Sequence, residues 1–343
     1  MTKKKEGGGS FIRSLTRHKV FTLVLLFLAL VLVFTGWSRL VNGNWTGFFK
    51  TSTLRNVLNS MVITSFLTIG AGCLLIGGHI DLSQAAIGAF GGMILATSIK
   101  GWSLPWFVGI IIALLFCALL GAINATLVTR FNFPAFIGTL AMSSMAKGLM
   151  YMFSAMGVTT GKASNIAFTN KYTDFLGNGA LVGIPLSVII MVLFFIVYGI
   201  LISKTKFGMK VMLMGGNPVS AHLAGINSTR ITYILFINSA VLGGVSGVFN
   251  TSRLSQGALL ALQTNQFTGI TAAMLGGISF GGGAGGMGGA FVGLLILNTF
   301  TIGINIVKFD QFWKNVFTGV LLLVALTIDY FAQMRLRRTV SGK

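Results

Sequence analysis

The chain has 343 residues, of which 54% are hydrophobic and only 9% charged, with a formal net charge of +20. A soluble globular domain, about a quarter charged, is excluded; the strongly positive mean hydropathy is that of a polytopic membrane protein. Nucleic acid is excluded as a partner, because the lysines and arginines flank apolar segments as topology signals do.

Residues 1–19, "MTKKKEGGGSFIRSLTRHK", form a basic segment before an apolar run from Val20 to Trp37. The run is long enough to span and lacks an A-x-A-like site, so it reads as an uncleaved first span. Taking about 20 apolar residues as enough for a bilayer core, ten candidate spans follow in chain order. They are 20 to 38, 56 to 77, 82 to 99, 104 to 129, 134 to 154, 180 to 203, 231 to 251, 268 to 281, 286 to 306 and 312 to 333. The expected fold is an all-α transmembrane helix bundle over residues 20–333, with short or discontinuous helices and a basic tail at 334–343. Ten spans put both termini on one side. With the ends in the cytoplasm, 15 of the 25 basic residues fall inside, nine lie in outer loops and Lys147 lies within a span. That bias supports cytoplasmic termini.

Within the second and fourth spans, Cys73 and Cys117 show no ligand spacing and read as packed thiols. Between Glu6 and Asp174 the chain holds one acid, Asp81, inside "GGHIDLSQAAIG" at 77–88. Asp81, Ser83 and Gln84 fit an Asp-x-x-Gln capping box, in which the carboxylate accepts from free N–H groups at a helix start while Gln84 reaches back. A helix could then begin abruptly at membrane depth with its backbone satisfied. The other reading makes Asp81 a contact for solute or a gating partner, since an intramembrane carboxylate is a functional candidate.

The longest internal connection on the cytoplasmic side is residues 203–230, "SKTKFGMKVMLMGGNPVSAHLAGINSTR". Pro218 suits the first turn of a short helix, with Asn217 as its N-cap and Gly225 ending it. Such a helix at the membrane surface either has a docking partner or is purely interfacial. Further on, Gly281, Gly285, Gly289 and Gly293 fall every fourth residue, which on a helix makes one bare stripe for close packing. Asn59, Thr64, Asn124, Ser143, Asn238 and Asn298 are polar within spans. They offer an uncharged hydrogen-bonding lining for a solute path, or bonds to neighbouring helices.

Signals of catalysis are poor. "GVTTGKA" at 157–163 has glycines too close for a phosphate loop, and Ala163 stands where a magnesium-holding Ser or Thr is needed. Gly244, Val245, Ser246 and Gly247 miss the nucleophile elbow by one position, and His18, His79 and His222 are scattered. Asp81, Lys147, Asp310 and Asp329 are the few ionisable groups at or near membrane depth, so a driving ion has little to bind. The chain reads as a conduit whose energy comes from elsewhere.

Four ordered stretches carry a family resemblance: "GGHIDLS" at 77–83, "TRFNFPAFIGTLAMSSMAKGL" at 129–149, "TKFGMKVMLMGGNPVSAHLAGI" at 205–226, and "LGGISFGGGAGGMGGAFVG" at 275–293 followed by "FWKNVFTGVLLLVALTID" at 312–329. The sequence resembles the membrane permease subunits of ABC importers for ribose, other simple sugars and nucleosides. The resemblance implies a coupling region, Gly208, Gly215, Gly216, Asn217, Ala221, Gly225 and Ile226, docked on an ABC ATPase subunit. It further implies a second permease subunit, identical or related, an extracytoplasmic substrate-binding protein, and alternating access in the cell membrane. No cofactor belongs to this chain; ATP and Mg would sit on the partner ATPase. The sequence departs from the family pattern at His79, where glycine is usual, at Thr268, where an acid is usual, and at Ala284, where arginine is usual. These departures bear on substrate. The rival classes are a stand-alone secondary transporter or channel and, further off, a membrane-bound enzyme.

Overall fold

The computed structural model describes residues 19–43, 50–307 and 310–340. The protein is an all-α membrane bundle, its backbone hydrogen bonds closed within helices as lipid requires. The first half contains α1 (Lys19–Asn42), α2 (Thr51–Ile76), α3 (Gln84–Lys100), α4 (Trp106–Thr129) and α5 (Ala135–Met156). After a short α6 (Lys171–Asn178) come α7 (Leu186–Lys204), the short helices α8 (Lys206–Gly216) and α9 (Pro218–Leu223), and α10 (Ser228–Leu254). α11 (Gln266–Leu275), α12 (Met287–Ile306) and α13 (Gln311–Val340) follow. Two-residue strands tie the loops: β1 (Ile166–Ala167) pairs antiparallel with β4 (Gln256–Gly257), and β2 (Ala180–Leu181) with β3 (Ile184–Pro185).

A helix lies in each of the ten predicted stretches, and six of these helices, α1, α2, α4, α7, α10 and α12, are long and apolar enough to cross a membrane. α3, with 17 residues, and α11, with 10, are shorter. The sixth stretch begins later than expected because residues 180–185 form the β2–β3 hairpin. α7 starts after Pro185, whose missing N–H is no loss at a helix start. Most of the basic 1–19 segment, residues 1–18, and the last three residues of the 334–343 tail lie outside the described residues.

The core is built on α2, α3 and α10. α3 is buried from Gln84 to Ser98 and is enclosed by α10, α4 and α5. α11 and α12 pack on α2 and on each other, with α1 against α12. α4 and α7 turn apolar faces outward, among them Ile111, Leu115, Leu119, Leu193, Ile196 and Ile200.

Lipid gives helices no hydrophobic reason to associate, so shape must bring them together. Gly88 and Gly92 of α3 oppose Gly243 and Gly247 of α10, each pair four residues apart. A methyl group on Gly247 would land on the Gly88 carbonyl oxygen, and one on Gly92 would lie 2.8 Å from the Gly247 carbonyl oxygen. Beside this seam the sulfur of Cys117 would be 2.8 Å from a methyl on either Gly91 or Gly244. Cys73 and Cys117 are both buried free thiols.

The predicted stripe Gly281, Gly285, Gly289 and Gly293 needs correction. Gly281 and Gly285 lie in the loop between α11 and α12, and only Gly289 and Gly293 are helical. Gly282, Gly283 and Gly285 have positive φ, which breaks the helical period that a spacing of four presupposes. Gly289 and Gly293 press on the end of α11, at Gly276 and Ala272.

The α3–α10 seam predicts that Gly247→Ala lowers the thermal midpoint in detergent, since overpacking a tight contact costs roughly 1–3 kcal/mol. Gly148→Ala, which meets nothing within 4 Å, should leave the midpoint unchanged.

Candidate functional site

Two helices, α2 and α11, stop on the same device. α2 runs into Gly77 and Gly78, with Gly78 N–H donating to Leu75 O at 2.9 Å and His79 N–H to Leu74 O at 2.9 Å. α11 runs into Gly276 and Gly277, with Gly277 N–H donating to Met274 O at 2.8 Å and Ile278 N–H to Ala273 O at 3.1 Å. This is the Schellman pattern, in which a left-handed residue lets the chain fold back onto orphan carbonyls. Gly78 at φ +81° and Gly277 at φ +88° supply that residue.

An aspartate holds each turn. After the first, Asp81 Oδ1 accepts from Ser83 N–H at 2.8 Å and Ser83 Oγ at 2.5 Å, and Oδ2 accepts from Ser239 Oγ of α10 at 2.9 Å. The Gln84 side chain does not reach back to Asp81, as a reciprocal box would have it; its amide points at Phe66 O of α2, 3.5 Å away. After the second turn, Asp329 of α13 accepts from Phe280 N–H at 3.0 Å and Ser279 Oγ at 3.3 Å.

Other helices brace the Asp81 segment. Leu82 N–H donates to Thr139 Oγ1 of α5 at 3.0 Å, Gln266 Nε2 of α11 donates to Leu82 O at 2.5 Å, and Asn124 Nδ2 of α4 donates to Ser83 Oγ at 2.9 Å. His79 lies against α10, its Nε2 3.2 Å from Thr232 Oγ1. Sequence reasoning missed Thr139, Ser239, Gln266 and the role of Asp329. Hydroxyls and amides within apolar helices were the available signal, without an indication of which turn each would meet.

The two turns touch, and the end of α8 is wedged between them. Gly283 N–H donates to Ile76 O at 2.8 Å. A methyl on Gly215 would strike that same carbonyl oxygen and lie 2.8 Å from Gly283 N; one on Gly282 would lie 3.0 Å from Gly78 Cα and 2.6 Å from Gly215 O. Gly216 approaches Gly283, whose added methyl would be 2.5 Å from Gly216 Cα. Backbone meets backbone at this joint because Gly78, Gly215, Gly216, Gly282 and Gly283 carry no side chains.

The 203–230 connection thus holds two helices where the sequence suggested one. Thr205 Oγ1 accepts from Gly208 N–H at 3.2 Å to start α8. Gly208 is buried at the corner, where a methyl would overlap Ile202. Asn217 Oδ1 accepts from Ser220 N–H at 3.0 Å, and Pro218 opens α9. Gly225 at φ +74° turns the chain, and Ile226 N–H donates to Ala221 O at 3.0 Å. Ala221 and Ile226 are buried, whereas Val219 and Leu223 are 71% and 82% exposed. α9 therefore grips the bundle by one face and offers an apolar edge on the other.

The six polar intraspan residues do not gather into one lining. Asn298 accepts from Ser60 Oγ at 3.1 Å and donates to Thr64 Oγ1 at 3.3 Å, tying α12 to α2. Asn238 accepts from the Tyr198 hydroxyl, tying α10 to α7. Asn124 braces the Asp81 segment, and Ser143 is buried in α5. Asn59 lines a cavity with Arg55 and Arg253.

The family described as branched-chain amino acid transport system / permease component matches residues 53–326. The ribose import permease protein RbsC of Bacillus subtilis is 31% identical over 82% of this chain and 86% of its own length. The Escherichia coli K12 protein of the same name is 28% identical over 82% and 87%. The fructose import permease protein FrcC of Rhizobium meliloti is 29% identical over 82% and 79%. No solved structure matches.

The bonding at Asp81 makes two substitutions informative. Asp81→Asn keeps one acceptor oxygen for Ser83 and can donate to the Ser239 hydroxyl, so its thermal midpoint in detergent should stay near wild type. Asp81→Leu strands three donors, at about 1–3 kcal/mol for each buried group left unpaired, and should lower the midpoint strongly. Equal losses would show that the charge itself is required.

Proposed function

The chain belongs to the ABC importer permease family that includes the ribose and fructose import permeases, a multi-pass membrane permease by membership, and from that premise we propose how it is driven. It is the membrane subunit of an ATP-driven importer for a monosaccharide or nucleoside. It crosses the membrane ten times with both termini in the cytoplasm, pairs with a second permease subunit, and receives cargo from an external substrate-binding protein. An ABC ATPase subunit, which holds the ATP and Mg, docks on α9.

The observation that carries this reading is the glycine joint. α9 offers Val219 and Leu223 to a partner and is one residue removed from Gly216, at the end of α8. Gly215 in turn sits against Ile76 O and Gly283 N, the points where both interrupted helix pairs, α2–α3 and α11–α12, turn. A displacement of α9 by closure of the ATPase pair would be delivered to both turns at once, because contact through backbone leaves no flexible side chain to absorb it. The bundle's interior is close-packed and switches between arrangements more readily than it deforms. Alternating access follows if the two turns move relative to the helices that brace them, α5 and α10 at the first and α13 at the second.

Two variants separate docking from transmission. Val219→Asp with Leu223→Asp alters only exposed positions; the protein should insert and fold as wild type but lose the ATPase on affinity purification in mild detergent. Gly215→Ala should retain the ATPase, yet transport in reconstituted vesicles should fall at least tenfold and substrate should no longer stimulate ATP hydrolysis. Full transport by liposomes containing this chain without any ATPase would overturn the proposal in favour of a self-sufficient transporter.

A further inference from the structure

At the end of the bundle that carries α6 and the β2–β3 hairpin, a cavity of about 270 Å³ opens between α2, α6, α7 and α10. Its floor includes the buried Phe249 and Ser187. Its walls carry Arg55 and Asn59, one turn apart on α2, Asn178 of α6, and Arg253 in the last turn of α10. Two guanidinium groups thus line one small space, and no residue lining it is acidic. Asp174 is engaged beside it, its Oδ1 accepting from Asn178 Nδ2 at 2.9 Å.

The guanidinium groups are only partly used. Arg253 donates to Asn59 O at 3.0 Å, and Arg55 makes one long contact with Gly183 O at 3.5 Å. Each guanidinium has five N–H donors in a planar fork suited to carboxylate or phosphate. A cleft lined by one sign of charge concentrates the field and draws in the opposite charge. The volume lies near the lower end of small-molecule sites, roughly 300–1,000 Å³, which suits a single small solute. The Asn59 amide and the Ser187 hydroxyl offer both donors and acceptors; Asn178, whose amide N–H groups are held by Asp174 Oδ1 and Arg253 O, offers its carbonyl oxygen as an acceptor, and Phe249 gives an apolar floor.

We propose that this cavity binds a small solute carrying an oxyanion, a carboxylate or a phosphate, with Arg55 and Arg253 on the anion and the amides on neighbouring hydroxyls. This binding does not depend on the ATPase, so its test stands or falls apart from the coupling reading above.

The test is calorimetric titration of the purified chain in phosphatidylcholine nanodiscs at low salt. The probes are inorganic phosphate, D-glucuronate and, as the uncharged match, D-glucose. Phosphate or glucuronate should bind at least tenfold more tightly than glucose, and Arg55→Gln with Arg253→Gln should weaken that binding at least tenfold. Arg55→Gln alone, which disturbs only an exposed side chain, should weaken it at least threefold and covers the case in which the double variant fails to fold. No binding of either anion, or equal binding of glucose, overturns the proposal. Repeating the titration in discs containing phosphatidylglycerol separates the sources. Unchanged anion affinity supports a soluble solute, while loss of the signal assigns the site to a lipid headgroup and overturns it.

Discussion

A helix that stops inside a low-dielectric bundle must find partners for four carbonyls at its end, and one that starts there must do so for four N–H groups. Much of this protein's interior answers that constraint. The double-glycine turns at Gly77–Gly78 and Gly276–Gly277 fold the chain back onto its own carbonyls, and Asp81 meets the N–H of Ser83, the residue that leads into α3. Because the turns close on their own carbonyls, the chain can change direction next to the buried Asp81. That is a requirement of any path that must open and close without exposing backbone to lipid.

The same glycines have a second effect, in packing. Where no side chain intervenes, two backbones approach to contact, and helix association in lipid rests on such fits. The α3–α10 seam and the joint of Gly78, Gly215 and Gly283 both use it, one to hold the core and one to connect a surface helix to that core. The first is a seam between regular helices with their ladders intact. The second joins a helix end to two turns, where rearrangement involves a few φ and ψ angles instead of a whole helix.

Much of the fold was legible because apolar length is a strong signal in membrane proteins, and helices lie in all ten stretches read from it. Asn217, Pro218 and Gly225 marked α9 for the same kind of reason: each residue has a local conformational preference that its neighbours do not override. Tertiary relations were less legible. The period-four glycines at 281–293 were read as a helix face, though half of them form a loop, because spacing alone does not report the sign of φ. Gly88, Gly92, Gly243 and Gly247 passed unnoticed because each pair gains meaning only from the helix it opposes. The polar residues Asn124, Asn238 and Asn298 look alike in sequence, yet each proved to be a tie between different helices.

The two cysteines, buried at the α3–α10 seam and within α2, give the chain a practical property. No native thiol among the described residues reaches water, so a reporter cysteine can be introduced without first stripping the protein of its own. Val182, fully exposed in the β2–β3 hairpin loop, and Leu223 on α9 are natural places for such labels. Spin or fluorescent probes there would follow the two ends of the bundle separately against a chemically silent background.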